Sequence, residues 1–179
     1  MLEWQAENDM SASPNAQKSV QSEDPAGPVQ RATPEDIDAW LQLAAEVEPL
    51  FGPMVDDPGF RKALEEAVAE GRALCIRESS AGPGAPLCGG VIVATRTNEI
   101  AWLAVAAAHR RRGFGGALLA EAIALLAPER DIQVQTFAPN VEAGRAARAL
   151  YQRFGFRDHH KAEPAPSGLP TVVMVRPSR

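Results

Sequence analysis

Apolar residues recur along this chain at two periods, and each change of period marks a new element. Ile37, Trp40, Leu41, Ala44 and Val47 follow helical spacing. Thr33 stands at the N-cap, Pro34 at the first helical position, and Glu35 and Asp36 in the first turn; Pro49 is expected to end the helix. After the Gly52-Pro53 break, DPGFRKALEEAVAEG predicts a second helix with Phe60, Leu64, Ala67 and Val68 on one side and Gly71 as its C-cap. The period then shortens. Residues 72–78, 87–95 and 99–105 read as strands, with Thr97-Asn98 as a turn. Residues 114–126 return to helix, where Leu118, Leu119, Ala122, Ile123, Leu125 and Leu126 form a stripe wide enough to lie on a sheet. A strand over 131–137, a helix over 141–154 and a strand pair over 156–161 and 171–176 complete the pattern, with a short strand candidate at 29–32.

This order predicts one α/β (α+β) domain over residues 29–179. It holds about six to seven strands and about four helices. Residues 1–28 are rich in Ser, Pro, Asn, Gln and Glu and read as a flexible arm; Leu2, Trp4 and Met10 are the side chains able to anchor it on a neighbouring subunit.

Composition narrows the function classes. The 179 residues are 45% hydrophobic and 23% charged, as in soluble globular proteins, and the net charge of -5 argues against nucleic-acid binding. No apolar run approaches the roughly 20 residues of a membrane span. The N-terminal MLEWQAENDM does not resemble a secretion signal, and Cys75 and Cys88 are expected as reduced, buried thiols of a cytoplasmic protein.

The stretch AAAHRRRGFGGALLAEAIALL sets three arginines before a glycine-rich turn that enters an apolar helix. The first turn of a helix leaves four N–H groups without partners, and Gly113, Gly115 and Gly116 remove the side chains that would keep a diphosphate from them. Arg110, Arg111 and Arg112 bring positive charge. No Gly-Lys-Ser/Thr follows, so this is not a Walker A loop, and the spacing fails the dinucleotide fingerprint.

The spacing that fits is Arg-x-x-Gly-x-Gly, from Arg110 to Gly115, after a strand ending at Val105. WLAVAAAHRRRGFGGALL resembles the acetyl-coenzyme A binding motif of the GNAT superfamily of N-acetyltransferases, and ARALYQRFGF resembles its second signature segment. The resemblance implies a GNAT-like mixed, mostly antiparallel sheet flanked by the helices, whose fourth strand carries a bulge and splays from the fifth, leaving a slot for the pantetheine arm. Carried over by position, the main chain of Leu103, Ala104 and Val105 would hold the pantetheine, and Arg110, Arg111, Arg112, Gly113, Phe114, Gly115 and Gly116 the diphosphate. It implies acetyl-CoA as co-substrate and direct transfer of an acetyl group to an amine, without a covalent enzyme intermediate. The alternative is a non-catalytic acyl-coenzyme A binding or regulatory module with the same fold.

Acetyl transfer needs a base for the amine, a donor for the oxyanion and an acid for the departing thiolate. The resemblance assigns the acid to Tyr151, which shares a helix face with Ala147 and Leu150 ahead of a Gly155 cap; a core aromatic is the plainer reading. Glu99 opens the fourth strand where some relatives keep a catalytic glutamate, with Glu142 or a chain of waters as competitors. An asparagine that commonly touches coenzyme A seven residues before the tyrosine is Gly144 here, which leaves Asn140 either to take over that contact or to cap the helix.

His109, His159 and His160 suggest no metal site, because adjacent histidines on a strand point to opposite faces. The acceptor, a small-molecule amine or a peptide, is expected to be selected by the two N-terminal helices and the loop over 162–170, where Glu46, Glu48, Asp56 and Asp57 could attract a cation. A homodimer stays open, since dimers are common for this fold.

Overall fold

The computed structural model describes residues 27–78 and 81–178. The arm expected over 1–28, with Leu2, Trp4 and Met10, lies outside the described residues apart from its last two. Thr33 opens the first helical segment as a 3-10 turn over Pro34–Asp36, with its N–H donating to Asp36 Oδ2 at 2.7 Å. α1 follows over Ile37–Phe51. It runs through Pro49 instead of ending there, because a proline in the last turn removes only one N–H from the ladder. The stop comes at Gly52, whose φ of 101° is open to glycine. α2 spans Pro58–Ala69 and is capped by Asp57, which accepts from Gly59 N at 2.8 Å; Gly71 then turns the chain at a φ of 70°.

Seven strands form one sheet in the order β1-β2-β3-β4-β5-β7-β6. β1 (Gln30–Arg31), β2 (Ala73–Ile76), β3 (Gly89–Ala94) and β4 (Glu99–Val105) pair antiparallel in turn. β5 (Ile132–Phe137) lies parallel to β4, and β7 (Thr171–Arg176) fits between β5 and β6 (Arg157–Ala162). α3 (Phe114–Ala124) connects β4 to β5. α4 (Arg145–Arg153) follows a 3-10 turn over Glu142–Gly144, so it starts later than the apolar pattern predicts. The architecture is the expected one, a mixed, mostly antiparallel sheet with four α-helices.

Alternation along the strands sorts side chains into two cores. On one face Trp40, Leu43, Leu64 and Ala67 of α1 and α2 cover Ala73, Cys75, Ile92 and Ala104. On the other, Leu118, Leu119, Leu150 and Tyr151 of α3 and α4 cover Ile76, Val91, Val134 and Met174. Burying each large apolar side chain stabilises the fold by about 2 kcal/mol. Cys75 and Cys88 belong to different cores and are free thiols. Burial pushes Cys75 up to about 11 and raises Cys88 as well, so both stay protonated and unreactive.

Polar ties fix what the apolar pattern leaves loose. Buried Asp36 pairs with Arg77 and accepts from Gly84 N at 2.9 Å, pinning the β2–β3 connection to α1. Asn98, fully buried at a φ of 58°, accepts from Ala127 N and donates to the carbonyls of Ala127, Arg130 and Asp131. Arg148 reaches both carboxylate oxygens of Asp158 at 2.8 Å and the Phe137 carbonyl at 3.2 Å, tying α4 to β5 and β6.

Candidate functional site

β4 and β5 pair only at Glu99↔Gln133 and Ile100↔Val134. Beyond that point they diverge, leaving Ala101 to Val105, about 16 Å of β4 edge, open to a ligand. The register explains how this edge is presented. β3 pairs Ile92 with Trp102 and Val93 with Ile100, so Ala101 is the extra residue of a bulge. Ala106 N donates to Cys88 O, and by antiparallel alternation Ala104 and Trp102 also spend their main-chain groups on β3. Leu103 and Val105 therefore turn theirs toward the slot. Of the three residues named for the pantetheine, Ala104 faces the neighbouring strand.

The glycine turn closes the far end of this edge. Ala117 N is the first α3 amide to find an acceptor, Gly113 O at 3.1 Å. The N–H groups of Phe114, Gly115 and Gly116 have no protein acceptor among the described residues. Gly113 adopts a φ of 88° with open space where a Cβ would stand. The three arginines divide their work. Arg110 Nε donates to Val105 O at 3.3 Å and braces the turn. Arg111 is exposed at a φ of 62°. Arg112 lies 5.2 Å over the Phe114 ring and touches His109 Nδ1 at 3.2 Å, which fixes its guanidinium beside the α3 N-terminus.

Tyr151 sits on the α4 face turned to the sheet, 5% exposed, with its ring edge-on to Phe156 at 5.6 Å. Gly155 N bonds Gln152 O and Phe156 N bonds Tyr151 O, the two closures of a Schellman end, with Gly155 at a φ of 87°. The phenol has no hydrogen-bond partner among the described residues. Burial of the group raises its pKa, so it stays a proton donor throughout the neutral range.

Asn140 is exposed and caps nothing; the N-cap of the 3-10 turn is Val141. Gly144 packs so tightly that a Cβ there would come 2.5 Å from Phe137 Cβ, which excludes an asparagine at that place. Glu142 is exposed and paired with Arg145.

Glu99 stands at the paired end of β4, half-exposed. Ile100 points into the α3/α4 core, so Glu99 faces the opposite side, and the bulge brings Trp102 onto that same side three residues later. Trp102 is half-buried against Trp40, with ring centroids 5.5 Å apart. Above this face the end of α1 bridges the open slot. On the β4 side Glu46 Oε2 accepts from Ala107 N at 2.9 Å. On the β5 side Phe51 lies on Phe137 with centroids 4.9 Å apart, and Ser167 Oγ donates to Leu50 O at 2.6 Å. Glu48 accepts from Met54 N and Val55 N, both at 2.7 Å, and these bonds hold its carboxyl below the usual range. Glu46 and Glu48 thus fasten the bridge.

His159 and His160 depart from the alternation expected of a strand. A register shift between Asp158 and His160 makes His159 a bulge, and the two Nδ1 atoms come within 2.7 Å. Among the described residues no group of three or more potential metal ligands forms, and no helix is long and apolar enough to cross a membrane.

The bulge implied for the fourth strand falls at Ala101; the bridge of α1 and the role of Phe137 had no signal in the local pattern, since each depends on a partner distant in sequence. A model of the acetyltransferase (GNAT) domain matches residues 68–158. No curated protein sequence matches the chain. Among solved structures, Thermoplasma volcanium Ard1 is similar at a TM-score of 0.65 and 16% identity, over 86% of this chain and 98% of that one. Arabidopsis thaliana NAA60 in complex with a bisubstrate analogue is similar at 0.62 and 16%, over 87% and 100%. The ribosomal-protein-S18-alanine N-acetyltransferase from Escherichia coli is similar at 0.58 and 19%, over 86% and 95%. At these identities the likeness is one of fold.

Proposed function

The chain belongs to the GNAT acetyltransferase family, and from that premise we propose that it moves the acetyl group of acetyl-CoA directly onto a primary amine. The observation that carries this reading is the set of N–H groups at Phe114, Gly115 and Gly116 that have no protein acceptor among the described residues, at the head of the open β4 edge. Those amides and Arg112 suit a diphosphate, and the outward main-chain groups of Leu103 and Val105 suit the amides of a pantetheine arm.

In the chemistry proposed, the amine nitrogen attacks the thioester carbonyl, the C–N bond forms and the C–S bond breaks. Tyr151, on the α4 face turned to the sheet, would give its proton to the leaving sulfur; burial keeps the phenol protonated and so able to donate. Glu99, the only carboxylate on β4, faces the acceptor side and would take the amine's proton through water. The bridge of α1 favours an amine on a slender chain, such as a small molecule or a peptide terminus; similarity to the ribosomal-protein-S18-alanine N-acetyltransferase adds weight to the peptide. The site is proposed to work in the cytoplasm, where acetyl-CoA is available.

A thiol-release screen with acetyl-CoA against small amines, amino acids, aminoglycosides and short peptides tests the reading, alongside calorimetric titration of acetyl-CoA. Binding with turnover of at least one amine class is expected. Absence of acetyl-CoA binding would defeat the proposal.

A further inference from the structure

Gln135 is the first residue of β5 beyond its last pairing with β4, so it stands where the slot begins. Ile132 and Val134 turn into the α3/α4 core, which leaves Gln135 exposed on the opposite face, the one shared by Glu99 and Trp102. Its side chain is held. Nε2 donates to Glu163 O at 3.1 Å and to Thr171 Oγ1 at 2.9 Å. Thr171 Oγ1 spends its own proton on Glu163 O at 2.6 Å, so toward Gln135 it can only accept. Both partners demand the NH2 end of the amide, and the orientation of the group follows from the donors and acceptors alone. Oε1 is left without a protein donor among the described residues.

A primary amine that enters under the α1 bridge brings N–H bonds and must aim its lone pair into the slot. A fixed carbonyl oxygen at the apex can accept one N–H and set that direction. Glutamine cannot accept the proton that the reaction releases, so its part is orientation, with the proton leaving by another group. We infer that Gln135 Oε1 is a docking point for the amino group of the acceptor, held ready by Glu163 and Thr171. This rests on the N-acetyltransferase reading above.

The test uses the full chain and the amine turned over fastest in the thiol-release screen. Gln135→Leu is expected to raise the KM for that amine about tenfold, the worth of one hydrogen bond, while the affinity for acetyl-CoA stays within twofold. Thr171→Val removes part of the support and leaves Oε1, so it is expected to cost much less than Gln135→Leu. An unchanged amine KM in Gln135→Leu overturns the inference, as does equal damage from Thr171→Val, which would make the amide a tie between β5 and the β6–β7 connection. Wild-type protein that binds no acetyl-CoA removes the parent reading instead, and the separate titration tells the two failures apart.

Discussion

A Cβ built on Gly115 would stand 3.1 Å from Leu150 Cδ2, so the glycine turn and the helix carrying Tyr151 meet through this contact. The two segments that identify the family in the sequence are thus physically joined, and Gly115 is small for packing as well as for access. Gly116 differs, because its nearest neighbour in the same construction is Leu150 Cδ1 at 3.9 Å, an ordinary contact. Gly116→Glu is therefore the cleaner probe of the diphosphate cradle. It is expected to weaken acetyl-CoA at least tenfold by calorimetry with little change in melting temperature. Gly115→Asp should lose both. Undiminished affinity in Gly116→Glu would place the diphosphate elsewhere.

Tyr151→Phe separates chemistry from binding. The hydroxyl makes no hydrogen bond among the described residues, so its loss should leave stability nearly unchanged. If it protonates the thiolate, kcat should fall about 100-fold while acetyl-CoA affinity holds. Because burial raises this pKa, no alkaline limb from Tyr151 is expected below its ordinary value of about 10. A pH–rate profile with wild-type kcat in Tyr151→Phe would return the residue to the core.

Much of the fold was legible because local signals agreed. Strand β4 matches the apolar run over 99–105, and the Tyr151-to-Phe156 end follows from a glycine placed to take a positive φ. What escaped was non-local. Pro49 reads as a stop, yet the helix continues for two residues because Phe51 gains Phe137 as a partner. Asn140 reads as a cap and Gly144 as a missing asparagine, but the space at Gly144 is filled by Phe137. Adjacent histidines read as opposed until a bulge set by β7 brings them together. Leu103, Ala104 and Val105 are expected together along the slot, and that Ala104 turns instead to β3 depends on the β3 register, which no window on β4 contains.

Asp36 offers a test of the scaffold that holds α1 against β2. Burial alone would raise its carboxyl, but the Arg77 guanidinium and the N–H groups of Gly84 and Thr33 outweigh it and hold it below the usual range. A depressed folded pKa contributes stability above the unfolded value of about 3.9, and that contribution is lost as pH falls below it. Asp36→Asn leaves Arg77 buried without its counter-charge and should cost about 3 kcal/mol at pH 7. Thermal unfolding of both proteins from pH 7 to pH 3 should show the gap closing at the acid end. A gap independent of pH would remove the charge pair as its cause.

Gly52 tests whether the bridge over the slot governs the acceptor. Its φ of 101° is hostile to other residues, and a Cβ there would come 2.6 Å from Pro166 Cβ, inside any real contact. Gly52→Ala must therefore push the α1 end away from the loop that carries Pro166 and Ser167, stretching the Ser167-to-Leu50 bond. The diphosphate cradle is built from β4 and α3 and shares no residue with this contact. The expected outcome is a KM for the amine raised several-fold with acetyl-CoA affinity intact, and a matching but smaller effect in Ser167→Ala. If both constants moved together, the displacement would have reached the slot itself; if neither moved, the acceptor would enter by a path that does not pass beneath α1.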